Sequence, residues 1–239
     1  MVKSTSLSAE IYSDVSFARK YAQNIMDNAW NACYERPASL SLVPADLHDK
    51  SVLDAGCGPD ITTAFFLQQG ALVTGIDYSK EMVAIAREQT DGKATLLHHD
   101  LNLELSMFEQ SSFDLIYCSL VIHYVDDLNV LFKEFSSILK PGGVFVFSTD
   151  HPSSPVIKNN GVITGREVKS FFWDGYGLSM NVYVRPWNNI TESLEKNQFV
   201  IDKSLAPVPT EECKVKFPLE YEQLLAIPAF ICIRAINRK

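Results

Sequence analysis

Residues 49–60, DKSVLDAGCGPD, read as a short buried strand that runs into a glycine-rich turn. Gly56 and Gly58 allow backbone angles that side chains resist, and they let a ligand approach the main chain closely. The sequence from Ile61 to Gln69 then reads as a helix stopped by Gly70. Its first N–H groups have no partner within the helix, so they face whatever occupies the turn. Strand, glycine turn and helix in this order open an α/β sheet that holds a polar ligand, although a G-x-G pair alone does not specify which one.

Downstream the same unit recurs. ALVTGID (71–77) is a second strand, and Ser79 is the N-cap of a helix that reaches Gln89 before the Asp91-Gly92 turn. ATLLHHD (94–100) is a third strand. SFDLIYCSLVI (112–122) is a fourth, with the unbroken apolar run of a strand covered on both faces. A helix over 128–139 ends at the turn Lys140-Pro141-Gly142-Gly143, and VFVFSTD (144–150) is the fifth strand. Strands that alternate with helices predict a parallel, doubly wound α/β sheet.

Past His151 the rhythm breaks. Residues 152–186 hold Gly, Asn, Ser and many aromatics without a period, which predicts an inserted cap with short strands such as LSMNVYV (178–184). A helix at Asn188–Lys196, a strand at Phe199–Leu205 and a last strand IPAFICIRAI (227–236) close the chain. Upstream, Phe17, Tyr21, Ile25 and Met26 recur at helical steps and predict one helix from Ser16 to Ser41, interrupted at Pro37. The expected organisation is a single domain: a helical lid (1–49), a ligand-binding core (50–150), a cap insertion (151–187) and the last helix and strands (188–239).

Composition narrows the partners. The 239 residues suit one α/β domain with a cap, and 46% apolar with 21% charged residues is a globular balance. A net charge of −8 opposes binding to nucleic acid or anionic membranes, which require excess Lys and Arg. No run approaches the ~18 apolar residues of a membrane helix, and MVKSTSLSAEIYSD at the start has no apolar segment of a secretory signal. Cys33, Cys57, Cys118, Cys213 and Cys232 are scattered, which argues against a disulfide framework or a zinc site. A cytoplasmic monomer or homodimer without a metal is expected.

Two acidic residues turn the glycine loop into a site. Asp77 ends the second strand, 23 positions after Asp54, near the spacing at which a carboxylate meets ribose hydroxyls. Asp100 ends the third strand. Ligands of open α/β sheets sit beyond the carboxyl ends of the strands, so these features converge on one crevice. Ile61 stands where a dinucleotide fingerprint has its third glycine, and no Gly-Lys-Ser/Thr marks a P-loop.

In order, VLDAGCGPD, VTGIDYS, HHDL, SFDLIYCSLVIHYVDD and LKPGGVFVFSTDHP resemble the five motifs of class I S-adenosylmethionine (SAM)-dependent methyltransferases. The resemblance is close over about residues 36–150 and looser through Arg185-Pro186, PVP (207–209) and FPLEYEQL (217–224). The chain is similar to bacterial small-molecule methyltransferases of the UbiE-like kind. That resemblance implies a Rossmann-like seven-stranded sheet with its last strand antiparallel, SAM as cofactor, S-adenosylhomocysteine (SAH) as product and a small-molecule acceptor. It implies that Gly56, Cys57 and Gly58 approach the methionine end of SAM, with Asp54 fixing the loop. Asp77 would bind both ribose hydroxyls, and Tyr78 and Met82 would flank the adenine. Asp100 would accept from the adenine amino group, Leu101 would offer its N–H, and Cys118 and Ser119 would pass close to the methionine. Asp60 departs from the family, which usually has Gly there; its carboxylate is expected to cap the helix or to reshape the loop.

Acceptor residues carry no motif. His123 and His151 follow the fourth and fifth strands; each either meets the acceptor as an acid–base group or hydrogen-bonds the loops. A base is needed only where the acceptor holds a proton at neutral pH. Phe171, Phe172, Trp173, Tyr176, Tyr183 and Trp187, with Arg166 and Arg185, form either a pocket for a planar acceptor or the cap's own core. Tyr21 and Asn28 are either a lid over SAM or packing. Cys57 reads as filler of the turn rather than a nucleophile, and Cys118 as a buried apolar residue. Two rival readings are a non-catalytic SAM- or SAH-binding protein and a nicotinamide-dependent oxidoreductase. A macromolecule methyltransferase is disfavoured by the acidic charge and by Cys118-Ser119-Leu120-Val121, which lacks the Asn/Asp-Pro-Pro-aromatic signature.

Overall fold

The computed structural model describes residues 9–154, 157 and 163–239. Seven strands share one sheet: Ser51–Ala55 (β1), Leu72–Asp77 (β2), Thr95–His98 (β3), Phe113–Ser119 (β4), Leu139–Asp150 (β5), Phe199–Leu205 (β8) and Phe230–Asn237 (β9). Glu167–Trp173 (β6) and Leu178–Val184 (β7) pair separately as an antiparallel hairpin in the cap. The strand order is β3-β2-β1-β4-β5-β9-β8. The first five strands are parallel, and β9 runs antiparallel to both β5 and β8. Sequence-consecutive strands thus leave β1 in opposite directions, which makes the gap between β1 and β4 the switch point where such sheets bind ligands.

Apolar runs place the strands inside. Leu53, Ile116 and Phe145 face helices Leu128–Ile138 (α6) and Trp187–Lys196 (α7), and they pack on Phe132, Phe135, Ile190 and Leu194. On the other face Val52, Leu115 and Val146 pack with Phe66 of helix Ile61–Gln68 (α4) and with Leu42 and Leu47. Alternation along each strand feeds the two clusters in turn. Helix Lys80–Gln89 (α5) begins as expected: the Ser79 hydroxyl accepts the Met82 N–H at 3.1 Å.

Two expectations need correction. The helix expected over Ser16–Ser41 is instead Val15–Asn24 (α2), a π-helical turn at Asn31–Glu35 and Arg36–Leu40 (α3), preceded by a single turn at Ala9–Tyr12 (α1). The break lies before Asn31, where the Asn28 side chain accepts the Asn31 N–H at 2.6 Å. Pro37 does not interrupt; it sits in the first turn of α3, where its missing N–H costs nothing. The turn expected at 140–143 is absorbed into β5 as an irregularity. Pairing slips from Phe113↔Leu139 to Leu115↔Val144, and Gly142 takes φ 75°. Two short helices, Glu211–Lys216 (α8) and Pro218–Ala226 (α9), follow β8. Part of the expected cap, residues 155, 156 and 158–162, lies outside the described residues. No helix among the described residues is long and apolar enough to cross a membrane.

Candidate active site

A cavity opens at the carboxyl ends of β1, β2, β3 and β4, under the α1–α3 segment. About 160 Å³ of it is open to the centre of a water-sized sphere, roughly ten times the minimum for one water. Its floor is the loop after β1. Gly56 (φ 79°) and Gly58 (φ 56°) both take left-handed angles, and the Gly56 and Cys57 N–H groups donate to the Ile76 carbonyl at 2.8 and 3.0 Å. Asp77 joins this loop to the next. One carboxylate oxygen accepts the Gly58 N–H at 2.9 Å, the other the Ser79 N–H at 2.8 Å. Asp54 is buried beneath the loop and accepts from Thr62 and Thr63 hydroxyls at 2.7 and 2.8 Å. Burial pushes its carboxyl up to about 6 against those two hydrogen bonds.

At the adenine end expected from the sequence, Asp100 accepts from the Asn102 main chain and side-chain amide at 2.9 and 2.8 Å. The His99 Nε2 atom is buried without a partner among the described residues, and His99 lines the same cavity. The roof is aromatic. Tyr12 and Tyr21 line it; Tyr12 shares a 3.2 Å hydrogen bond with the Tyr124 hydroxyl, and its carbonyl accepts the Ser79 hydroxyl at 2.6 Å.

The structure brings Tyr21, Asp54, Gly56, Cys57, Gly58, Asp77, Tyr78, Met82, Asp100, Leu101 and Ser119 to this cavity. Cys57 is a poor nucleophile there, because burial, with Asp77 and Asp54 nearby, pushes its thiol well above the usual range. Cys118 is not in the lining. Strand alternation sends it into the core beside Leu53 and Ile116.

The acceptor residues distribute differently. His123 packs against Tyr124 at 4.3 Å between centroids, and burial beside Arg185 lowers it to about 3, too weak a base for neutral pH. His151 serves its loop, with Nδ1 accepting the Ser153 N–H at 3.0 Å. Trp173 and Tyr176 pack on Phe17 and Tyr21 and so join the cap hairpin to α2, with Trp173 and Tyr176 centroids 4.4 Å apart. Tyr183 lies between Arg166 and Arg185 at 5.2 and 5.1 Å. Arg185 itself borders a second cavity, as does Trp187. Asn28 holds the turn after α2 and does not line the first cavity.

Sequence reasoning missed Glu35 and Arg36, which line the first cavity from the lid. Glu35 is 2% exposed and accepts the Ser119 hydroxyl at 2.9 Å. Burial raises its carboxyl, moderated by the Ser148, Ser119 and Ser39 hydroxyls. The Arg36 guanidinium donates to the Ile25 carbonyl at 2.7 Å. The one available signal was this charged pair standing directly after the apolar Cys33-Tyr34.

Asp60 does not cap α4 with its side chain, although its N–H donates to the Cys57 carbonyl at 3.4 Å. It occupies the N-cap at φ 100°, an angle suited to Gly, with no side-chain cap bond. Left-handed non-glycine residues cost about 1–3 kcal/mol, and burial together with nearby Asp54 raises this carboxyl to about 6. Asp60→Gly is therefore expected to stabilise the fold by about 0.5–2 kcal/mol, since strain relief exceeds the flexibility penalty of glycine. The folded-state pKa lies above the unfolded one, so Asp60 supports the fold at low pH and loses that support as pH rises through about 6. The gain should grow from pH 4 to pH 7; urea unfolding at both pH values checks it, and a destabilised variant would contradict the strain.

Comparison with known proteins agrees with this fold. Residues 53–147 match a family model described as a methyltransferase domain. A malonyl-[acyl-carrier protein] O-methyltransferase of Pectobacterium atrosepticum is 36% identical over 49% of this chain and 48% of its own. A ubiquinone biosynthesis O-methyltransferase of Coxiella burnetii is 30% identical over 43% and 44%. The chain spans about half the length, or less, of these curated relatives. A crystal structure of an S-adenosylmethionine-dependent methyltransferase from Mesorhizobium loti superposes with a TM-score of 0.70 at 27% identity, covering 89% of this chain and all of that one. The architecture is that of the class I methyltransferases.

Proposed function

We propose that the protein transfers the methyl group of SAM to an O, N or C atom of a small molecule. The observation that carries this is the charge of the first cavity. It presents the carboxylates of Glu35, Asp54, Asp77 and Asp100 against a single guanidinium, Arg36. SAM pairs two positive centres, a sulfonium and an ammonium, with one carboxylate, and suits that lining. A dinucleotide brings a pyrophosphate, for which the carboxylate of Asp60 at the start of α4 is a poor neighbour.

SAM, when bound, supplies an electrophilic methyl carbon on sulfur. The chain's own residues bind and orient it. Asp77 would accept from the ribose hydroxyls on its remaining lone pairs, and Tyr78 and Met82 would flank the base. Asp100 and the Leu101 N–H would meet the adenine edge. Glu35 would accept from the ammonium and Arg36 donate to the carboxylate. Tyr12 and Tyr21 in the lid (1–49) would exclude water, and the cap (151–187) would border the acceptor; orientation and desolvation then lower the barrier. A small acceptor in the cytoplasm is the setting that the acidic composition supports.

Titration calorimetry of SAM and SAH into the folded protein tests the reading. Micromolar binding is expected, and a folded sample that binds neither would overturn it. Arg36→Leu should weaken SAH about 10- to 150-fold, the loss of a charged hydrogen bond worth about 1.5–3 kcal/mol. Methylthioadenosine, which lacks the amino-acid end, should bind this variant as it binds the native protein. Equal losses for both ligands would remove Arg36 from that role.

A further inference from the structure

Beyond Tyr124 and Val125 lies the second cavity, lined by Asp150, Pro152, Arg185, Pro186, Trp187 and Ile190 among others, with a volume of about 190 Å³. The two cavities lie at adjacent strand ends. Ser119, in the first cavity, pairs in register with Ser148, and Asp150 follows two residues later on the same face of β5. Tyr124 borders the first cavity, and the Asp150 charge reaches its hydroxyl. Arg185 donates to the carbonyls of Val125 and Asp126, which ties its guanidinium to the backbone of a residue that lines the first cavity.

Asp150 is the exceptional group in this arrangement. Among the described residues no side chain or N–H hydrogen-bonds or ion-pairs with its carboxyl, and burial alone raises it to about 6. This half-buried carboxyl stands at the cavity wall with its acceptor sites uncommitted among the described residues, so a ligand in the cavity can donate to it. Arg185 lines the same cavity, and among the described residues no ion pair joins it to Asp150, so one positive and one negative group are both offered to a ligand there. Trp187, Pro186 and Ile190 supply apolar walls between them. Neither histidine competes as a base: His123 stays neutral and weak, and the Nδ1 of His151 is engaged by the Ser153 N–H.

On the methyltransferase reading, on which this rests, we propose that Asp150 receives the proton of the methyl acceptor, and that the acceptor is a hydroxylated, flat apolar carboxylic acid held with its hydroxyl at Asp150 and its carboxylate toward Arg185. The Asp150 carboxylate takes the hydroxyl proton as the oxygen electron pair forms the bond to the methyl carbon. The carbon–sulfur bond breaks, its pair stays on sulfur as a neutral thioether, and the proton passes from Asp150 to water when the methyl ether leaves. General bases of this kind contribute about 10²- to 10⁴-fold.

The three monohydroxybenzoates are the simplest probes with both groups on a planar body; benzoate lacks the hydroxyl and phenol the carboxylate. Calorimetry on the SAH-loaded protein should show at least one hydroxybenzoate binding more tightly than either control. Arg185→Leu should lose that binding tenfold or more. Asp150→Asn should keep SAH and hydroxybenzoate binding yet lower methyl transfer from labelled SAM by about 10²- to 10⁴-fold. Binding by no hydroxybenzoate, or native turnover by Asp150→Asn, overturns the proposal while SAH binding stands. Failure of SAH itself to bind is the separate result that removes the underlying reading.

Discussion

Asp77→Ala is expected to lose about 10- to 150-fold in SAM and SAH affinity, the equivalent of about 1.5–3 kcal/mol for hydrogen bonds to a charged group. The carboxylate has two tasks. It holds the glycine loop through the Gly58 N–H and the start of α5 through the Ser79 N–H, and it lines the cavity, where its remaining lone pairs would accept from the ribose. Alanine abolishes both, so the ligand loses its partner and the loop loses its clamp. Burial already disfavours this charge, as its raised pKa shows, so removing it also relieves a desolvation cost. The stability of the variant should therefore fall by less than two buried N–H groups left unpaired would suggest. Asparagine offers one acceptor oxygen where the carboxylate uses two, and it turns an NH₂ toward the other donor; Asp77→Asn should rescue binding only partly. Calorimetry with SAH, alongside urea unfolding, separates ligand loss from loop loss. A folded Asp77→Ala protein with native affinity would sink the assignment.

The core was legible because its signals are local. Strand β2 sits where the apolar run ends in Asp77, β8 has the expected limits, and Ser79 caps α5 as its side chain dictates. Asp54 and Asp77 could be placed because strand ends are fixed by the glycine loop and by the sheet's parallel order. What failed was information held in space. Glu35 and Arg36 reach the cavity only because the chain breaks at Asn28 and re-enters as a π-helical turn, and helical periodicity has no term for that. The residues at 140–143 carry turn chemistry, yet the sheet absorbs them, since β4 offers ladder partners on both sides of the slip. The aromatic cluster of the cap could have been a pocket or a core; the structure makes it a joint between hairpin and α2, because Trp173 and Tyr176 meet Phe17 and Tyr21. His123 and His151 drew attention as bases by residue type and by their place after β4 and β5. Burial next to Arg185 disarms His123, while burial raises the carboxyl of Asp150, one residue before His151, to about 6.

Gly56→Ala should be the most damaging single change in the loop, and Gly58→Ala is its control. Both glycines have positive φ, so alanine at either pays the left-handed cost of about 1–2 kcal/mol. Only Gly56 also meets a neighbour: an added Cβ would lie 2.3 Å from one Val121 methyl and 3.0 Å from the other. Val121 has little room to retreat, because its carbonyl accepts the Tyr124 N–H at 2.8 Å and so anchors the turn that carries Tyr124. Overpacking adds about 1–3 kcal/mol, giving about 2–5 kcal/mol in all for Gly56→Ala. At Gly58 nothing lies within 4 Å of the added Cβ, yet Gly58 lines the ligand cavity. The two variants should therefore diverge. Gly56→Ala should lose mostly stability, seen in the urea midpoint, whereas Gly58→Ala should lose only the left-handed cost of about 1–2 kcal/mol and more SAH affinity. Equal midpoints for the two would mean that Val121 yields freely and that the close approach of loop and turn is not what Gly56 is there to permit.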